Sequence, residues 1–376
     1  MKIKLYNKIA KCGLDKLPQS YEVAEDIAEE NGILVRSADL HQVAFPKSLA
    51  AIARAGAGVN NIPLEACSEQ GIVVFNTPGA NAQAVVELCL AAMLLTSRKV
   101  ADGMEWTKTL AGREDALKVV EKEKSRFVGP EIFGKTLGVV GLGAIGGGVA
   151  NAAAALGMKV LGYDPFVSVD AAWQLNPAVE KTDDLDLIFK SCDYISVHVP
   201  SLPSTRGLLG GKNIEKMKDG VRLLNLARAD LAVDEDILQG IKSGKIAAYF
   251  TDFPTGALAG QEGVVATPHL GASTPEAEDN CAMMACAQLA DYLENGNIKN
   301  SVNMPAVKLG RNEKYRIGII MKADADTDAA VQKLVFGGNK ACGTRGGYSY
   351  LLCERDTEFD SDAIRAVGGV LRVTSY

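Results

Sequence analysis

The most constraining stretch of the chain is Gly141-Leu-Gly143-Ala-Ile-Gly146, which follows the apolar run Thr136–Val140 and opens the small-residue segment Ala144–Leu156. A strand that turns through such glycines straight into a helix leaves few folds open. The first glycine permits a tight turn, the second lets a phosphate approach the backbone, and the third lets helix and strand pack closely. The positive end of the helix dipole then faces a bound pyrophosphate. Asp164 stands 18 residues beyond Gly146, at the end of the next apolar run, Lys159–Tyr163. A carboxylate there accepts hydrogen bonds from ribose hydroxyls and repels the extra phosphate of NADP, so the expected cofactor is NAD. The competing reading has Asp164 only capping the turn before Pro165.

The rhythm around this motif is strand, helix, strand. Strands are expected at Tyr194–Val199, Val221–Leu226, Ile246–Thr251 and Val264–Ala266, with helices at Asp184–Lys190, Asp234–Lys242 and Pro275–Leu293. Such alternation implies a parallel sheet covered by helices on both faces. Earlier, strands fit Ile33–Val35, Ala53–Gly58 and Ile72–Phe75, and a nearly all-apolar helix fits Ala82–Arg98. Residues Arg113–Arg126 carry the mixed-sign spacing of a solvated helix and read as an exposed arm. The mix of proline, glycine and polar residues at Asn303–Asn312 reads as a linker. Beyond it, the order βαββαβ over the last residues is that of a ferredoxin-like split βαβ unit.

Composition narrows the classes. At about 150 residues per domain, 376 residues imply two or three domains. With 47% hydrophobic and 23% charged residues the chain is far from disorder, and its net charge of -6 argues against a nucleic-acid partner. The start, MKIKLYNKIAKC, has no continuous apolar core of the kind a secretory signal needs. Thr136–Tyr163 is apolar but holds Asn151, Lys159 and, between Gly138 and Gly157, seven glycines, which suits a βαβ unit and not a membrane span. The eight cysteines form no CxxC pair and none lies beside a histidine, so reduced thiols of a cytoplasmic protein and no metal site are expected.

A chain that binds a nicotinamide for hydride transfer also needs a proton acceptor and a substrate anchor. Histidine is the usual acceptor at neutral pH, and there are three. His41 lies in a polar stretch and reads as surface. His198 ends an apolar strand and could face a cofactor or close the core. His269 follows Val264–Ala266 in Thr267-Pro-His269-Leu-Gly271-Ala-Ser273, at the sheet edge where ligands of open α/β sheets bind, and is the best candidate. Arg228, after the strand Val221–Leu226, lies at the same edge, and its guanidinium suits a carboxylate.

These residues carry a resemblance. GLGAIG with Asp164, Asn225-Leu-Ala-Arg228 and TPHLGAST together resemble the D-2-hydroxyacid dehydrogenase family, most closely its phosphoglycerate dehydrogenase branch. Val35-Arg36-Ser37, Arg54-Ala-Gly-Ala-Gly58-Val-Asn60, Phe75-Asn-Thr-Pro-Gly79 and Thr251-Asp252-Phe-Pro254 extend it. The carboxy-terminal unit resembles an ACT domain by its element order and its ending, AIRAVGGVLRV. The resemblance implies a Rossmann-type doubly wound NAD-binding domain at 99–273. It implies a discontinuous flavodoxin-like substrate domain at 1–98 and 274–305, a linker at 306–312 and an ACT-like domain at 313–376. It makes His269 the acid/base and Arg228 the anchor, and has Arg36, Gly58, Val59 and Asn60 meet the substrate. Gly141, Gly143, Ala144, Ile145, Gly146, Asp164, Pro200, Thr205, Ala227, Asp252 and Gly271 would line NAD. The activity it implies is oxidation of 3-phospho-D-glycerate to 3-phosphohydroxypyruvate at the entry to serine synthesis, in a homodimer or larger homo-oligomer built partly through the helical arm.

Two departures accompany the likeness. The family pairs its histidine with a glutamate, and that position here is Gly256; Glu262 and Glu276 are the substitutes within reach of the sequence. The turn Lys322–Asp328 has no glycine and three aspartates, which would repel an amino-acid effector. Two alternatives therefore stand beside the first. One is reduction of another 2-oxo acid, such as hydroxypyruvate or glyoxylate, with Lys8, Arg36 and Arg54 as the candidates whose phosphate recognition decides. The other is a non-catalytic NAD(H)-sensing regulator of the same fold.

Overall fold

A computed structural model describes all 376 residues, which divide into two compact units: Met1–Asn81 with Thr274–Tyr376, and Ala82–Ser273.

The first unit begins with five short strands, β1 (Lys2–Leu5), β2 (Glu22–Ala24), β3 (Gly32–Val35), β4 (Ala51–Arg54) and β5 (Val73–Phe75), and two short helices, α1 (Lys11–Leu14) and α2 (Leu64–Glu69). All neighbouring strands are parallel, in the order β2-β1-β3-β4-β5. This is the flavodoxin-like order, with its reversal between β1 and β3. β4 ends at Arg54, short of the expected Gly58, because the backbone turns away at Gly56. β3, β4 and β5 are buried almost throughout, as parallel strands covered on both faces must be.

The second unit opens with α3 (Ala82–Ser97), α4 (Val100–Lys108) and α5 (Ala116–Glu123). It continues through β6 (Thr136–Val140), α6 (Ala144–Ala155), β7 (Lys159–Tyr163), α7 (Val169–Trp173), β8 (Val179–Lys181), α8 (Leu185–Ser191) and β9 (Tyr194–Val197). It closes with α9 (Gly211–Lys216), β10 (Val221–Asn225), α10 (Asp234–Lys242), β11 (Ile246–Thr251) and β12 (Val264–Ala266). The seven strands run β12-β11-β10-β9-β6-β7-β8, parallel at every recorded pairing. This is a doubly wound Rossmann sheet whose two halves part between β6 and β9. α6 is built of small residues and buries Gly146, Val149, Ala150 and Ala153 against α3 and the sheet. The exposed arm is real but shorter than its charge pattern suggests, with α4 and α5 joined by a turn and with no buried residue in either.

The chain then returns to the first unit through α11 (Pro275–Asn295), capped by Thr274 and ended by Gly296 in the left-handed region. After it come β13 (Tyr315–Lys322), α12 (Ala325–Leu334), β14 (Asn339–Arg345), β15 (Tyr348–Arg355), α13 (Ser361–Arg365) and β16 (Val370–Ser375). They form an antiparallel sheet in the order β14-β15-β13-β16, the ferredoxin-like arrangement. Alternation sends Ile317, Ile319, Met321, Leu351 and Cys353 under the helices, and Ile320, Tyr350 and Leu352 into the core around Phe75 and Tyr292. Both faces of this sheet are therefore covered. Arg316 and Glu354, each with a side chain 0% exposed, pair at 3.1 Å, and Arg316 also donates to Leu309 O, Gly310 O and Asn297 Oδ1. That pair draws in the preceding segment, so the stretch that reads as a linker has Met304 and Val307 buried.

Candidate active site

Parallel pairing sets the heights at which the strands of the second unit end. Val140 of β6 is level with Tyr163 of β7 and Val197 of β9, so Gly141, Asp164 and His198 emerge together. The Gly141 N–H donates to Tyr163 O at 2.8 Å, its φ is +95°, and a Cβ there would lie 2.8 Å from His198 O. A Cβ at Gly146 would come within 1.8 Å of Gly141 O, so α6 can leave the turn this tightly only with glycine. Gly143 and Ala144 are exposed, and a Cβ at Gly143 would meet nothing within 4 Å. α6 thus starts with no side-chain cap and an open approach to its first N–H groups. Asp164 accepts from the Leu142 N–H through Oδ2 and from the Phe166 N–H through Oδ1, both at 2.8 Å. It does cap its turn, and each oxygen retains a lone pair for another donor.

A second set gathers on the other half of the same edge. Asn225, Thr251 and Ala266 are in register across β10, β11 and β12. Arg228, Asp252 and His269 follow them on three adjacent strands, whose neighbours lie ~4.8 Å apart. Asn225 is fully buried and works as a clamp. Its Oδ1 accepts from the N–H groups of Ala227 and Arg228, and its Nδ2 donates to Arg228 O at 2.9 Å. The Arg228 side chain is exposed beyond that clamp. His269 is also exposed, with its ring against Phe253. Asp252 is 1% exposed; Oδ2 accepts from the Gly271 N–H at 3.3 Å and Oδ1 has no partner. Burial pushes its carboxyl above the usual range, opposed by the charge of His269, the Gly271 N–H and the charge of Arg228. At Gly256 a Cβ would meet nothing within 4 Å, so the backbone there is open where the resemblance places a glutamate. Glu262 and Glu276 are exposed, Glu276 in the first turn of α11.

The remaining candidates on this edge are braced by local bonds. The Thr205 hydroxyl donates to Pro200 O at 2.6 Å and accepts from the Leu202 N–H, which holds the loop after β9. His198 is half-buried with Nε2 2.8 Å from Ser196 Oγ, and burial lowers its titration to about 4, so it is neutral at physiological pH. His41 is half-exposed in the first unit, with Nδ1 2.5 Å from Asp39 Oδ1.

Arg36, Gly58, Val59 and Asn60 lie in the first unit, past the ends of β3 and β4. The N–H groups of Arg36, Ser37 and Ala38 all donate to Asn7 Oδ1, at 2.9, 2.9 and 3.0 Å. Arg54 Nε donates to Arg36 O at 3.0 Å, and its guanidinium lies against Gly56 and Gly58. Asn60 is exposed beside them and Val59 is half-buried.

Residues 90–271 match the NAD-binding domain of the D-isomer specific 2-hydroxyacid dehydrogenases. Beyond it, the chain is 37% identical to the D-3-phosphoglycerate dehydrogenase of Archaeoglobus fulgidus, over 76% of this chain and 54% of that protein. It is 34% identical to the enzyme of the same name from Methanocaldococcus jannaschii, over 85% of this chain and 62% of that protein. The chain thus spans little more than half the length of these relatives. Among solved structures it resembles the NAD+-bound 3-phosphoglycerate dehydrogenase of Entamoeba histolytica, with TM-score 0.60 and 28% identity, over 81% of this chain and 98% of that one. NAD is the cofactor of the 2-hydroxyacid dehydrogenase domain, and the geometry suits it: the open Gly143, the uncapped start of α6, and a carboxylate at Asp164 with acceptor capacity left.

Within the NAD-binding domain, Phe253 has no sequence signal of its own, because its contact joins loops that follow different strands. Asn7 and Glu278 of the first unit were equally silent, since their partners are 29 and 242 residues away along the chain.

Proposed function

We propose that this protein is an NAD-dependent D-2-hydroxyacid dehydrogenase that interconverts 3-phospho-D-glycerate and 3-phosphohydroxypyruvate. The observation that carries the reading is the register-matched emergence of Arg228, Asp252 and His269 from three adjacent strands of the NAD-binding domain. NAD, when bound, supplies the hydride acceptor. The Arg228 guanidinium holds the substrate carboxylate and the oxygen at C2, and its backbone is fixed by the Asn225 clamp. His269 takes the hydroxyl proton as the C2 carbonyl forms and returns it in the reverse direction. Ala144, Ile145, Pro200, Thr205, Ala227, Asp252 and Gly271 are assigned to the walls of the cofactor site. Arg36 and the backbone of Gly58–Asn60 are assigned to the substrate, with Arg36, Lys8 and Arg54 as the candidates for its phosphate.

The α4–α5 arm exposes Met104 and Leu117, which supports its use in a homodimer. The ferredoxin-like unit is assigned a structural role, because both faces of its sheet are covered and Asp324 and Thr327 are spent on each other and on Gly368 O. No helix is long and apolar enough to cross a membrane, and eight free cysteines suit a reducing compartment, which we take to be the cytoplasm. Phosphohydroxypyruvate, hydroxypyruvate and glyoxylate, compared by kcat/KM with NADH, test the substrate. The phosphorylated acid should lead by at least tenfold. The open loop at Gly256 favours the sensor reading, which predicts NADH binding with no oxidation by any of the three.

A further inference from the structure

The Arg36 guanidinium already has an anion. Its Nη2 lies 2.5 Å from Glu278 Oε1, and the two side chains are 45% and 44% exposed. Backbone bonds to Asn7 hold the root of Arg36, and Arg54 donates to its carbonyl, so the backbone that carries the guanidinium is fixed independently of Glu278. The contact with Glu278 is a single nitrogen on a single oxygen, where a guanidinium can offer a planar fork of two parallel bonds. An ion pair this exposed contributes little net stability and exchanges readily. Glu278 also has somewhere to go. It lies near the start of α11, whose positive end stabilises a carboxylate without Arg36.

We propose that Glu278 is an internal competitor for Arg36, which the distal anionic group of the substrate must displace. Glu278 thereby sets the affinity for acids that carry a second anionic group, and leaves short acids unaffected. The proposal rests on the assignment of Arg36 to the substrate phosphate. The alternative, in which Glu278 holds Arg36 in place for the substrate, predicts the opposite sign.

Glu278→Gln keeps the shape and removes the charge. In the full-length protein with NADH, the variant should lower KM for 3-phosphohydroxypyruvate about two- to fivefold, or about 0.4–1 kcal/mol at 1.4 kcal/mol per tenfold. Its kcat, and its KM for hydroxypyruvate, should not change. A raised or unchanged KM for the phosphorylated acid overturns the proposal. Titration with inorganic phosphate separates this from failure of the functional reading, because it needs no turnover. Glu278→Gln should bind phosphate more tightly than the unmodified protein, and the gain should vanish when Arg36→Ala is added. Equal phosphate affinity overturns the proposal even if the protein proves inactive, while a gain in phosphate affinity without turnover upholds Glu278 and removes the enzyme.

Discussion

The ring of Phe253 lies 4.5 Å, centroid to centroid, from the imidazole of His269, tilted by 48°. An aromatic neighbour at this distance restrains the imidazole by ring packing. Phe253 stands next to Asp252, whose buried charge His269 also feels. The proposed proton acceptor is thus braced by an aromatic side chain on a loop where a hydrogen-bonded glutamate is missing.

Phe253→Ala should therefore lower kcat about tenfold, the scale of one aromatic pair, with the Kd for NADH unchanged. Phe253→Tyr should keep most of the activity. Gly256→Glu, placed in open space, should recover part of the loss and move the fall in reductive activity to higher pH, because a nearby carboxylate favours the imidazolium. Full kcat in Phe253→Ala, measured across pH 5–9, would show that the contact is only packing.

His198 makes acid stability its own test. Its folded titration near 4 lies below the unfolded value of ~6.5, so the folded state disfavours the proton. Stability is then intact above pH ~6.5 and falls as pH drops towards 4, by ~3 kcal/mol over the window. Urea midpoints of the protein and of His198→Gln, taken between pH 7 and 4.5, should converge towards acid if that titration operates. Parallel curves would contradict it.

Asp252 reverses the sign. A carboxyl raised by burial costs stability while ionised, and the cost disappears as pH falls below the unfolded value of ~3.9. Asp252→Asn should raise Tm at pH 7–8, with a gain that shrinks towards pH 4, and should reduce kcat/KM by at least tenfold. A lower Tm at neutral pH would mean that Oδ1, unpartnered in the structure, is satisfied in solution.

Much of the NAD-binding domain was legible in the residues, and for a physical reason. β6, β7, β11 and β12 are parallel strands read as apolar runs bounded by glycine, proline or charge, and they begin and end where the sequence places them. The ferredoxin-like order was legible too, through its short strand runs alternating with two helical segments. β1, β2 and β8 were not, because these three- and four-residue strands carry charged residues such as Lys2, Glu22 and Lys181. The site was legible only as far as strand ends went. His269 and Arg228 announce themselves by residue type and position, whereas Phe253 against His269 and Glu278 on Arg36 exist only once distant loops and a helix are brought together.

The buried pair in the carboxy-terminal sheet yields a fourth expectation. Arg316→Met leaves Glu354 charged and uncompensated among Asn312 and Asn339, and should cost about 3–5 kcal/mol of unfolding free energy. Arg316→Met with Glu354→Leu should recover most of it in a urea titration. Equal losses in the two variants would mean that the segment from Leu309 to Gly310, and not the charge, depends on Arg316.

The central claim, that His269 exchanges the proton in an NAD-dependent interconversion of a 2-hydroxy and a 2-oxo acid, is tested most directly by His269→Ala. NADH oxidation with 3-phosphohydroxypyruvate should be readily measured in the unmodified protein. It should fall by about 10²–10⁴ in the variant, with the Kd for NADH unchanged by fluorescence titration. Turnover equal in both proteins would remove His269 from the chemistry, and tight NADH binding with no turnover in either would contradict the enzyme itself.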